Sequence, residues 1–228
     1  MDTITLQQVL PAVFAENRED IDSEIWLCER SLQKGKSYLI EAVSGAGKSS
    51  FCSYLYGYRH DYSGDIRFDG QSTRTFSTRQ WTQLRRTAIS CLFQDLRLFP
   101  ELTVRENIEL KNSLTRHKPE TEIRRYFDRL GIGDKWESKT ARLSFGQQQR
   151  VAFVRALCQP FDFILLDEPI SHLDDTNGQI MADILLQECK AQSAGIIVTS
   201  AIVGAAAIAA LIFALVKLRR RKGQQSNL

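Results

Sequence analysis

Phe163, Ile164, Leu165 and Leu166 form an unbroken apolar run that ends abruptly in Asp167 and Glu168. Such a run reads as a buried strand, and it delivers two carboxylates to its tip. Paired acids there suit magnesium and water chemistry on a phosphate. Just upstream, Ser144 stands where it can cap a helix, with Gln147 three residues on as in a capping box. Backbone N–H groups at such a helix start point outward and can hold an anion. The first constraint on the fold is therefore a sheet whose strand ends carry chemistry.

A second strand-and-loop unit lies earlier. Residues 37–43 are mostly apolar, residues 42–49 hold a glycine-containing loop, and residues 48 to 58 suit a helix. The loop departs from the pattern G-x-x-x-x-G-K-[ST] only at its first position, where Ala42 stands. Gly45 and Gly47 let the backbone approach phosphate oxygens, Lys48 supplies a cation, and Ser49 offers its hydroxyl to Mg²⁺. An incidental glycine-rich turn is the alternative; the strand before and the helix after argue against it. Asp167 is expected to hold Mg²⁺ through water and Glu168 to act as general base. The 24 residues from Leu143 to Asp167 leave room for a helix, a turn and a strand. Gln94, at the end of an apolar run over residues 88–93, completes the set by touching Mg²⁺ and the attacking water. Alone it would be an ordinary polar loop residue.

Composition bounds the rest. The 228 residues suffice for one large α/β domain, or a domain with an appendage, and 43% hydrophobic with 25% charged content is ordinary for a globular protein. The net charge of +3 comes from Lys217, Arg219, Arg220, Arg221 and Lys222; without them the chain carries 25 basic and 27 acidic residues. No whole-domain electrostatic case for nucleic acid remains, and none is expected as a partner. Five scattered cysteines with no CxxC spacing predict buried free thiols. The amino terminus lacks a basic region followed by an apolar core, so no signal peptide is expected and the body reads as cytosolic.

Between Gln94 and Leu143 the pattern is helical. Thr103 and Glu106 form a capping box before a helix over 107–114, and Pro119 opens another that runs to Leu130 and stops at Gly131. A third covers 146–158. Residues 65–70 predict a strand and turn, 161–166 a strand, 176–192 a helix and 195–199 a final strand. Strand and helix alternate, which predicts a parallel sheet with a helical insertion.

These motifs together resemble the ABC transporter ATPase family over residues 1 to about 200, most closely its small stand-alone subunits of the lipoprotein-releasing and macrolide-efflux type. The resemblance implies an α/β P-loop NTPase core over 1–200 with a helical signature subdomain over about 95–158. It also implies a head-to-tail dimer with a second nucleotide-binding subunit, sandwiching two ATP molecules. By that matching Ser44, Gly45, Ala46, Gly47, Lys48, Ser49 and Ser50 bind phosphates, and Gln94 is the Q-loop residue. Ser144, Gly146 and Gln147 meet the partner's ATP. Ser171, His172, Leu173 and Asp174 match the D-loop, with His172 at a variable surface position. The helical region has no long coiled-coil arm, unlike the chromosome-maintenance and DNA-repair relatives. In transporters it receives coupling helices from membrane permease subunits, which places the chain at the cytoplasmic face of the cell membrane. The family also stacks adenine on an aromatic residue near the amino terminus, and Phe14 is the nearby candidate.

Three departures stand out. Phe145 occupies a position usually held by glycine and is expected to be tolerated if it points outward. Ser200 stands where the family has a histidine that senses the γ-phosphate; serine cannot carry the cationic charge of imidazolium, so inefficient hydrolysis is expected. The third is the tail. Residues 201–216 contain no polar or charged side chain, and the low-polarity run counted from Gly195 reaches 22 residues. If Gly195–Thr199 pairs in the sheet, residues 201–218 alone span roughly 27 Å of helix, near the lower limit for a membrane crossing. A transmembrane helix over 201–222 with a basic flank is expected, followed by a polar end over 223–228. Its Arg-rich end then lies outside, against the positive-inside tendency. A surface helix needs a polar face this segment lacks, and a buried helix covering a sheet edge is the other possibility. A fusion, frameshift or truncation is a further origin to weigh for the tail.

Overall fold

A computed structural model describes residues 1–169 and 175–200 of the chain. In chain order its strands are β1 (Thr3–Pro11), β2 (Glu29–Gln33), β3 (Ser37–Glu41), β4 (Tyr62–Phe68), β5 (Gln71–Ser72), β6 (Ile89–Leu92), β7 (Phe163–Asp167) and β8 (Gly195–Ser200). The helices are α1 (Lys48–Leu55), α2 (Thr78–Thr87), α3 (Val104–Asn112), α4 (Glu120–Arg129), α5 (Phe145–Leu157) and α6 (Asp175–Gln192).

The strand that ends in carboxylates lies inside a parallel sheet of order β3-β8-β7-β6. Its side chains alternate between two cores. Ile164 and Leu166 pack with α5 and α6 residues on one face, while Phe163 and Leu165 pack with Phe51, Cys52 and Leu55 of α1 on the other. All four are 0–1% exposed, which is why the run shows no hydrophobic–polar alternation. β8 repeats the pattern, with Ile196 and Val198 on one side and Ile197 on the other. Because the strands are parallel, their carboxyl ends collect at one edge, where open α/β sheets bind ligands. Register places Asp167 opposite Thr199, and Glu41 opposite Ser200.

A second sheet, antiparallel and ordered β2-β1-β4-β5, corrects the expectation of a parallel sheet alone. β1 and β4 shift register between Gln7 and Leu10, and Gln8 has φ 52°. Gly64 lies at this bulge with φ 80°; a Cβ there would come 2.3 Å from the Gln8 carbonyl oxygen. The sheet shares the core that contains α1, so it packs directly behind the glycine loop.

The helical insertion forms as the caps require. Thr103 and Glu106 make the expected capping box, but α3 begins at Val104, immediately after its cap. α1 stops at Leu55, short of the expected Tyr58. Buried Asn107 binds the loop before α3, donating to the carbonyls of Phe99 and Thr103 at 3.0 Å and accepting from Phe99 N–H at 2.9 Å. The cysteines are free, with Cys52, Cys158 and Cys189 buried. No helix among the described residues is long and apolar enough to cross a membrane. The segments 171–174, 201–222 and 223–228 lie outside the described residues.

Candidate functional site

The sheet's carboxyl edge brings Lys48, Ser49, Gln94 and Glu168 into one connected group. The loop between β3 and α1 is anchored where Ala42 N–H donates to the Ser200 carbonyl at 3.2 Å. It closes on itself through Ala46 N–H to the Val43 carbonyl at 3.3 Å. Gly47 caps α1 with φ 89°, a left-handed conformation that glycine adopts without a Cβ penalty. Gly45 has φ 86°, and a Cβ there would meet no atom within 4 Å, so the loop's outer side is open to a ligand. Ala42 is not among the residues at positive φ, so its methyl is accommodated where the common pattern has glycine.

Lys48, 7% exposed, reaches back over this loop. Its Nζ donates to the carbonyls of Ala42 at 2.9 Å and Val43 at 3.0 Å, and lies 3.5 Å from Glu168 Oε1. Glu168 Oε2 accepts from Gln94 Nε2 at 3.2 Å, and Gln94 Oε1 accepts from Ser49 Oγ at 3.4 Å. Lys48, Glu168, Gln94 and Ser49 are thus joined in a chain of polar contacts. Beneath them Thr199 Oγ1 donates to Asp167 Oδ1 at 2.6 Å, fixing a carboxylate that is 4% exposed. Glu168 itself has φ 49°, a left-handed backbone that costs on the order of 1–3 kcal/mol for a non-glycine residue. That turn bends the chain immediately after Asp167, so two consecutive acids take different environments.

The donor set fits a hard divalent cation. Ser49 hydroxyl, Gln94 amide oxygen and Asp167 carboxylate offer oxygen ligands only. No cluster of three or more His, Cys, Asp or Glu occurs among the described residues. The nearby thiols do not compete. Burial, then the Asp167 charge, pushes Cys52 well above its ordinary value despite the opposing Thr199 hydrogen bond. Burial raises Cys91 likewise.

Sequence reasoning missed two residues here. Trp26 packs over the glycine loop, with Nε1 donating to the Ala46 carbonyl at 3.1 Å. A Cβ on Gly47 would lie 3.2 Å from Trp26 Cζ2 and 3.1 Å from Phe14 Cε2, so both aromatics cover the loop. They border a cavity of about 610 Å³ that also includes Asp22, Ile40 and Lys48. Phe14 and Trp26 thus stand side by side at the rim of this cavity. The other is Gln149, buried on α5, whose Nε2 donates to the Pro169 carbonyl at 2.7 Å and ties that helix to the turn after Glu168.

The remaining expected residues sit apart. Ser50 Oγ accepts from Arg59 at 2.9 Å, away from the chain of polar contacts. Ser144 caps α5 by accepting from Gln147 N–H at 3.3 Å, while Gln147 Oε1 accepts from Ser144 N–H at 3.0 Å. Ser144, Gly146 and Gln147 make no hydrogen bond with the Lys48 group among the described contacts. Phe145 is 45% exposed at the first turn of α5, as its tolerance requires. Ser200, 3% exposed, ends β8 beside the loop anchor.

Comparison with known proteins adds to this geometry. The family model described as ABC transporter matches residues 28–171. A macrolide export ATP-binding/permease protein of Aggregatibacter actinomycetemcomitans is 33% identical over 176 residues, 75% of this chain. The match spans only 27% of that relative's length. A lipoprotein-releasing system ATP-binding protein of Syntrophus aciditrophicus is 33% identical over 159 residues, 68% of this chain and 71% of that one. A bacterial ABC transporter cassette solved as a dimer superposes with a TM-score of 0.70 at 26% identity, covering 86% of this chain and 87% of the other.

Proposed function

The chain belongs to the ABC transporter family, and we propose that it is the Mg²⁺-dependent, ATP-hydrolysing cassette of a membrane transporter. The observation that carries this reading is the contact chain Lys48–Glu168–Gln94–Ser49 at the mouth of an open glycine loop. Residues 44–50 present N–H groups and small side chains to phosphate oxygens. Lys48 exchanges its loop carbonyls for the β and γ phosphates. Ser49, Gln94 and Asp167 are the residues that would hold Mg²⁺, which neutralises phosphate charge when bound. Glu168 accepts a proton from water as that water attacks the γ-phosphorus and the bond to ADP breaks; Gln94 orients the same water. Phe14 and Trp26 border the space for the base.

The partner reading follows from the same assignment. Ser144, Gly146 and Gln147 stand exposed or half-buried at a helix start, suited to the ATP of a second cassette in a head-to-tail dimer. Permease subunits receive the resulting motion, and the chain acts at the cytoplasmic face of the membrane. Residues 1–200 form the cassette, with its helical subdomain over about 95–158. Residues 201–222 insert into the membrane, a reading supported by their composition alone. Recovery of the full chain in the soluble fraction after membranes are removed would contradict it.

Ser200 at the end of β8 favours a second reading, an ATP-gated, membrane-tethered adaptor that hydrolyses slowly. Both readings require ATP binding. Calorimetric titration of ATP with Mg²⁺ into the full chain tests that directly. Lys48→Ala is expected to weaken affinity by about tenfold or more, a charge-assisted contact being lost. Unchanged affinity would contradict the phosphate site.

A further inference from the structure

The parallel sheet ends in a half-covered strand. Among the described residues β3 pairs with β8 alone. The ladder begins where the Lys36 carbonyl accepts from Ile196 N–H at 2.9 Å and ends where Ala42 N–H donates to the Ser200 carbonyl at 3.2 Å. Alternate residues face the partner strand in such a pair, so Tyr38 and Ile40 bond to β8. Ser37, Leu39 and Glu41 therefore turn their N–H and C=O groups to the outer side. β3 carries neither lysine nor proline to blunt that edge. β7 and β8 are buried at every residue, whereas no residue of β3 is. Strands of a parallel sheet ordinarily have both faces covered, and the described residues leave this one without its cover.

The cavity of about 610 Å³ lies against this edge. Leu39 and Ile40 pack on different cores from opposite faces of the strand, and both line the cavity. The space therefore wraps the outer side of β3. Ile21 and Ile25 add apolar wall, and exposed Asp22, Glu24 and Glu41 add negative charge. An occupant that suits such a space is extended and apolar, with positive charge beside it. Residues 201–222 have that composition. They continue directly from Ser200, which stands opposite Glu41 in the register. Residues 201–216 are free of polar and charged side chains, and Lys217, Arg219, Arg220, Arg221 and Lys222 follow. Crossing from β8 to the outer side of β3 takes about 10 Å, two strand spacings, and the edge itself is about 17 Å long. Residues 201–216, fully extended, reach about 53 Å, which suffices for both.

We propose that residues 205–216, beyond a turn at Gly204, add a strand along β3 whenever no membrane receives them, so that the tail of this chain fills its own nucleotide cavity. Phe14, Trp26 and Lys48 line the same space, so the tail and the base of ATP exclude each other. A bilayer that takes up the apolar residues empties the cavity. By linkage, membrane and ATP each favour the other's binding by the same factor. The exclusion of ATP rests on the nucleotide reading above; the seat rests on the free edge, the cavity and the charge around it.

The test uses the full chain, extracted in detergent and then freed of it, with and without phospholipid vesicles. Residue-resolved amide hydrogen exchange and ATP affinity are measured on the same samples. Without vesicles, the Leu39 and Glu41 amides are expected to exchange about tenfold or more slowly than in Ile212→Asp, whose charge an apolar seat rejects. The Tyr38 and Ile40 amides, held by β8 in both proteins, are the internal controls. Vesicles are expected to bring wild-type Leu39 and Glu41 to the rates of the variant and to tighten ATP binding by about tenfold. Slow exchange at the edge in a chain that binds no ATP in any sample would strike the nucleotide reading and leave the seat standing. Four results would overturn the proposal: equal edge exchange in wild type and variant, protection that grows with protein concentration and so marks a second copy, ATP affinity unmoved by vesicles, or precipitation of the detergent-free chain.

Discussion

The Lys48 ammonium lies 3.5 Å from a Glu168 carboxylate oxygen, so the cation proposed for phosphate and the base proposed for water form one ion pair. The pair gives a lysine that is 7% exposed a carboxylate neighbour at the sheet edge. It also couples them. A phosphate that takes Lys48 would release Glu168 Oε1 from this pair, while Glu168 Oε2 holds the Gln94 contact at 3.2 Å.

Asp167 depends on Thr199 in the same edge. Thr199→Val keeps the side-chain shape but removes the 2.6 Å donor to a buried carboxylate. The expected loss is about 1–3 kcal/mol of stability, read as a lower midpoint in urea. Mg²⁺-dependent tightening of ATP binding should weaken in the same variant. A midpoint matching the wild type would show that the bond contributes nothing.

Much of this edge was legible in the sequence, for a physical reason. β7 and β8 are buried on both faces, so their apolar runs announce themselves, and the caps at Ser144 and Thr103 are local chemistry. Of the second sheet only β4 showed, through the strand-and-turn signal at residues 65–70. Only Leu32 is buried in β2, the bulge at Gln8 breaks the alternation of β1, and only Trp81 is buried in α2. Trp26 was unreadable as a site residue because no local pattern marks its contact with the distant Ala46 carbonyl. The φ of Glu168 was hidden too, since no glycine marks the turn.

Lys111 gives the account a pH signature. Burial, then the Arg155 charge, presses its folded value down to about 8, below the roughly 10.4 of an unfolded lysine. Between those values the unfolded state binds more protons, so this residue makes stability rise with pH. Lys111→Met should remove that contribution. The difference in unfolding free energy between the two proteins is expected to change between about pH 8 and 10.4 and stay flat from pH 6 to 7. A constant difference across the whole range would mean that Lys111 is not shifted.

Ser200 bears on turnover. It ends β8 beside the anchor of the phosphate loop, where imidazole would stand in the family pattern. Ser200→His is expected to raise steady-state ATP hydrolysis by about tenfold or more, the low end of a positioned acid–base group, with similar ATP affinity. Comparable turnover in the two proteins would refute the idea that serine limits hydrolysis.

The central claim is that Glu168 activates water on a bound ATP. Single-turnover hydrolysis of ATP by wild type and Glu168→Gln, at saturating protein and Mg²⁺, measures that step alone. The account predicts a rate about 100-fold lower or more in the variant, with ATP still bound. Equal rates in the two proteins would contradict it.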